Sequence, residues 1–154
     1  EGRNFDLCIT TPLYRAIETS HLAFGGVTTK FMITADAVES AIPKLAGPQR
    51  GNSKKDMLEA FPYIADWDMS LVREDGPEPN WVLGEAIEPT EEAGGRCGPA
   101  YLNPLSAEER IAPLAAWLKE RPEATVVVVG HSGVFDKLLG INMGNCELVE
   151  HTLG

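Results

Sequence analysis

Two short stretches of this sequence carry side chains whose types and spacing suit anion chemistry. In one, the β-branched run Thr125 to Val129 ends on Gly130-His131-Ser132-Gly133 and a new apolar helical pattern follows. A buried strand that delivers a histidine to a glycine-flanked turn at a helix start offers an imidazole, backbone N–H groups and a positive dipole end. The glycines let that backbone pass close to a ligand, so His131, Ser132 and Gly133 are candidate anion contacts. In the other, Thr10-Thr11-Pro12 ends an apolar strand and Arg15 follows one turn into a helix. A guanidinium placed there presents a planar fork to the same anion. The simpler readings are a hydrogen-bonded core histidine and a surface arginine of an amphipathic helix. Glu39, taken singly, is a solvated carboxylate.

A second chemistry competes for the same turn. VVVVGHSGV resembles a nucleophile elbow in which Ser132 would attack a carbonyl. That elbow needs G-x-S-x-G, and Val134 occupies the last glycine position. A serine triad also needs an acid and then a histidine downstream. Asp136, Glu147, Glu150 and His151 are all that remain, with too little chain for the intervening strands.

The elements that must position these residues alternate. DLCITT, Asp6 to Thr11, is a strand, and Pro12 to Phe24 a helix that Gly25-Gly26 ends. Phe31 to Thr34 is a second strand, Asp36 to Ala41 a short helical turn, and Ser53 to Phe61 a helix capped by Ser53 and stopped before Pro62. From Asp66 to Pro104 five prolines break the pattern; loop is expected, with a short helix around Glu91 to Arg96. Ser106 and Glu109 form a capping box before a helix to about Arg121, where Pro113 implies a kink or a late start. Thr125 to Gly130 reads as a fully buried parallel strand, Val134 to Leu139 as a helix, and Cys146 to Leu153 as a final strand. Such alternation predicts one α/β domain over 1–154 with a mostly parallel sheet. In open parallel sheets ligands bind beyond the carboxyl ends of the strands, where His131 and Arg15 both fall.

Composition narrows the field. The chain has 154 residues and a net charge of −10, which repels polyanions and argues against nucleic acid and anionic membrane surfaces. A phosphate site would therefore need local cations and N–H donors. No apolar run is long enough to cross a bilayer, so no membrane insertion is expected. Cys8, Cys97 and Cys146 form neither a disulfide framework nor a zinc pattern, and no targeting peptide is visible. The expectation is an intracellular protein, not secreted, without metal or cofactor. Trp67, Trp81 and Trp117 are expected in the core, and Lys54-Lys55-Asp56 on an exposed face.

Taken together, the segments resemble the histidine phosphatase superfamily, the phosphoglycerate-mutase-like proteins, and within it a plant and protist subgroup. TPLYRAIET, Thr11 to Thr19, resembles the family's S-P-L-x-R-A-x-x-T, and VVGHSGV, Val128 to Val134, its late V-x-H-S-G segment. Asn145 to Leu148, NCEL, resembles the strand after it. Ser53 to Val72, followed by Trp81 and Glu88 to Glu92, is similar to the subgroup's S-x-S-E-x-x-x-x-F-P-x-I-D-F-S-x-I region.

The resemblance implies a three-layer sandwich around the sheet and metal-free phosphoryl transfer through a phosphohistidine. Arg15 would be the second phosphate-binding arginine and His131 the second histidine. Glu39 would be the acid that protonates the leaving oxygen, although Val38 stands where an arginine is usual. Arg50 would rim the substrate pocket. The ligand would be a phosphorylated small molecule or a phosphoprotein.

One departure is large. The family's R-H-G strand, with the nucleophile, does not occur in this sequence. The domain is accordingly expected to be N-terminally incomplete. That strand is expected to be central, so its loss should leave two strands without a partner. The alternative is a catalytically inactive phosphatase-like domain that serves as an accessory subunit and binds protein partners.

Overall fold

Leu7, Cys8 and Ile9 must leave water, and so must Phe31 to Ile33; short apolar strands meet that need most simply by pairing with each other. In a computed structural model, which describes residues 3–34, 36–38, 54–72, 86–87, 100–101 and 107–153, they do so. Strand β1 (Leu7–Thr10) lies between β2 (Phe31–Ile33) and β5 (Val126–Val129), parallel to both. Helices α1 (Tyr14–Phe24), α2 (Lys54–Ala60), α3 (Ala107–Lys119) and α4 (Ser132–Leu139) accompany this sheet. The fold is mixed α/β with a small open parallel sheet.

The order β2-β1-β5 corrects the expectation that two strands of this chain would be left without a partner. Pairing Cys8 with both Phe31 and Val127, and Thr10 with both Ile33 and Val129, satisfies β1 on its two edges. β1 is therefore the central strand of the described sheet, and all four of its residues are buried. β5 corrects a second expectation. It is an edge of the described sheet, so only Val127 is buried and Val126, Val128 and Val129 are partly exposed. Its base is pinned to β1 by Asp6, whose carboxylate accepts from both the backbone N–H and the hydroxyl of Thr125, at 2.8 and 2.9 Å. Those two bonds hold the Asp6 carboxyl below its usual pKa.

Alternation along β1 and β2 divides the core. Leu7, Ile9 and Met32 pack with Ala37, Ile111, Leu114, Leu118 and Val134, from α3, α4 and the turn after β2. Ile33 packs instead with Ile17, Met57, Ile64, Trp67 and Val72, from α1, α2 and the segment that follows it. Phe31 stacks on Trp67 with centroids 4.3 Å apart, and Tyr14 donates to the Asp56 carbonyl at 3.1 Å, tying α1 to α2.

Three elements differ from the sequence-based expectation. The late start that Pro113 allowed does not occur: α3 begins at Ala107 and runs through Pro113, which lies on the exposed side, while Ile111, Leu114 and Leu118 hold the helix to the core. No strand forms over Cys146 to Leu153; Cys146 takes φ 60 in a turn, and Leu148 is 72% exposed. Within the proline-rich middle, β3 (Ala86–Ile87) and β4 (Ala100–Tyr101) pair antiparallel, which the residue pattern does not announce. The helix expected around Glu91 to Arg96, and the Ser53 and Ser106 caps, lie outside the described residues. Among the described residues, no helix is long and apolar enough to cross a membrane.

Candidate functional site

β1 and β5 run in parallel with Thr10 opposite Val129, so the residues that follow them emerge side by side. α1 begins four residues beyond Thr10 and α4 three beyond Val129, which puts two helix N-termini at the same end of the sheet. At the second turn the chain is extended at His131 (φ −130, ψ 150) before α4 starts at Ser132, two residues earlier than expected. The His131 carbonyl accepts from the Val134 and Phe135 N–H groups, fixing the backbone from which the imidazole projects.

That imidazole meets both neighbours. Its Nε2 lies 3.1 Å from the Thr11 hydroxyl, and its Nδ1 lies 3.4 Å from Nη2 of Arg15. Thr11 is fully buried, His131 is 8% exposed, and Arg15 opens to solvent. Burial first, and then the neighbouring Arg15 charge, push the His131 ring down to a pKa of about 4. The ring is therefore neutral at physiological pH, and the guanidinium supplies the positive charge.

A third element closes on this corner. Thr34, at the end of β2, is buried and its hydroxyl accepts from the Asp36 N–H at 3.3 Å, turning the chain back. The turn brings the Ala37 carbonyl beside Gly130, where a Cβ would lie 3.7 Å from that oxygen and 3.2 Å from Cζ of Phe135. A larger residue at 130 would have to move Phe135, so glycine permits the approach. Thr10 adds an unusual feature: its hydroxyl is fully buried and has no hydrogen-bond partner among the described residues.

Of the residues singled out from the sequence, Arg15 and His131 come together. Ser132 and Gly133 form the first turn of α4 next to them. Glu39 and Arg50 lie outside the described residues. Ser132 donates to Asn142 Oδ1 at 3.2 Å, and the His131 ring is engaged by Thr11 and Arg15, so no serine–histidine pair forms here. Thr11 is the residue that sequence reasoning undervalued. Its place at a strand end was visible, but its role depends on which strand lies next to β1. Among the described residues, no cluster of three or more His, Cys, Asp or Glu side chains could hold a metal ion.

The arrangement is suited to an oxyanion: a guanidinium fork, an imidazole and two helix N-termini at the carboxyl end of parallel strands. No protein-family model, curated protein or solved structure matches the chain, so the functional argument rests on this geometry.

Proposed function

We propose that this chain is a histidine-phosphatase-like domain that binds the phosphoryl group of a phosphomonoester between Arg15 and His131. The observation that carries the reading is the 3.4 Å approach of the Arg15 guanidinium to the His131 ring at the tips of adjoining parallel strands. Arg15 would neutralise the equatorial oxygens and His131 would donate to one of them. Glu39 is assigned as the acid for the leaving oxygen and Arg50 as a rim contact. The substrate class is a phosphorylated small molecule or a phosphoprotein. A three-layer architecture belongs to the same proposal, supported by separate apolar clusters around Ile9 and around Ile33.

The nucleophile is assigned to a histidine outside these residues. The other two imidazoles lie elsewhere: His21 stacks on Tyr63 at 3.9 Å, and His151 is exposed beyond α4. The outer edge of β5 pairs with no strand among the described residues and would accept one carrying that histidine. The same two imidazoles also favour a second reading, in which the domain binds phosphate without turnover as an accessory subunit.

Hydrolysis of p-nitrophenyl phosphate by the native protein tests the enzyme reading. Vanadate-sensitive turnover that falls by about 100-fold or more in His131→Ala and in Arg15→Ala supports it. Phosphate binding without turnover, in stoichiometric complex with a partner protein, supports the accessory role. Failure of inorganic phosphate to bind the chain refutes both.

A further inference from the structure

A guanidinium can only donate, so the His131 Nδ1 that faces Arg15 must be an acceptor. The one proton of the neutral ring therefore sits on Nε2, and Nε2–H donates to Thr11 Oγ1 at 3.1 Å. This resting state is the wrong one for an anion. An oxyanion that draws Arg15 to itself in front of the ring would meet the Nδ1 lone pair, and two acceptors repel.

The ring has two ways to offer a donor there. It can take a second proton and become an imidazolium, which its burial opposes. Alternatively it can lose the proton on Nε2 and gain one on Nδ1, with no net uptake. The second route requires a partner at Nε2 that changes from acceptor to donor without leaving its place. A hydroxyl does this by rotation about one bond. Thr11 is fully buried, directly beyond a strand paired on both edges, so its oxygen stays in position while its proton turns. Among the described residues, Arg15 is the one charged group acting on this ring.

We propose that Thr11 is the positioning residue of the site, holding His131 as the Nε2–H tautomer at rest and donating to Nε2 when a phosphate-like oxyanion takes a proton donor from Nδ1. The proposal rests on the anion-binding reading above and adds to it a tautomer change with a balanced proton count: Nε2 gives one proton up to solvent, and Nδ1 takes one from solvent.

Long-range proton–nitrogen correlation spectra of the histidine-labelled chain test it near neutral pH, with His131→Gln used to assign the ring. In the free protein Nδ1 should be the unprotonated nitrogen. Saturating inorganic phosphate should move the unprotonated position to Nε2, and calorimetry in buffers of different ionisation enthalpy should find no net proton uptake. Thr11→Val, which can neither accept from Nε2–H nor donate to Nε2, should weaken phosphate binding by about tenfold, while Thr11→Ser should restore the wild-type affinity and tautomer pattern. A free ring protonated on Nδ1, or a doubly protonated bound ring in the wild type, overturns the proposal; both are read without any variant. A free ring with the expected tautomer that ignores phosphate refutes the anion site and the switch together. A ring that answers phosphate by taking two protons refutes the switch and leaves the anion site standing.

Discussion

Lowering the pH should destabilise this fold through His131 in a narrow and calculable window. The ring is pushed down to about 4 when folded, mainly by burial and then by Arg15, against 6.5 for an ordinary histidine. Between those values the unfolded chain binds a proton that the folded chain does not, so stability rises with pH there. The stabilising contribution is complete above about pH 6.5, falls as the pH drops through the window, and is gone below about pH 4. The whole gap corresponds to about 3 kcal/mol, and the step from about pH 7.5 to about pH 5 to about 2 kcal/mol. Other groups also couple stability to pH, among them Asp6 and Asp68, whose carboxyls are held below their usual range by hydrogen bonds from Thr125 and Ser70, so the quantity to measure is a difference between two proteins. Urea unfolding of the wild type and of His131→Gln at both pH values supplies it. The wild type should lose about 2 kcal/mol more than the variant over this step. Equal losses would show that the ring is not buried as a neutral group between Thr11 and Arg15, and the tautomer argument would fall with it.

Two further changes test the packing. Thr10→Val replaces a buried hydroxyl that has no partner among the described residues by a methyl of the same shape and should raise stability by about 1 kcal/mol in urea unfolding; a loss would reveal a partner for that hydroxyl. Gly140 ends α4 at φ 69, so Gly140→Ala should lower stability by about 1 kcal/mol, and Gly140→Asn by less.

Much of the local structure around the site could be read from the residues themselves. Leu7 to Thr10 and Phe31 to Ile33 are short apolar runs bounded by turn residues, and both are strands. The shared location of Arg15 and His131 followed from parallel pairing, because each lies just past a strand end. The strand order did not follow, since it is fixed by contacts between segments some 120 residues apart, such as Thr11 with His131. For the same reason β5 could not be recognised as an edge: four valines look alike whether one face or both are covered. The stretch after Asn145 misled because Leu148 and Val149 have strand propensity, yet they pair with no strand among the described residues and Leu148 stays exposed. Ala37 at Gly130 was also illegible, being a backbone approach with no side-chain signature.

The charge of the chain and the charge of the site have opposite signs, and salt should separate them. The net charge of −10 acts at long range, while Arg15 acts at contact. Spread over a sphere of about 19 Å radius, that charge opposes a phosphate dianion by about 3 kcal/mol when the Debye length is about 30 Å, and by about 1 kcal/mol when it is about 8 Å. The attraction to one exposed guanidinium at about 4 Å weakens over the same range by less than about 1 kcal/mol. Repulsion is thus screened more than attraction. Inorganic phosphate should bind about threefold to fivefold more tightly at about 0.15 M ionic strength than at about 0.01 M. Titrations in a salt of a bulky, weakly competing anion measure this directly. Binding that weakens steadily with salt would mean that several cations, and not Arg15 with a neutral imidazole, face the phosphate.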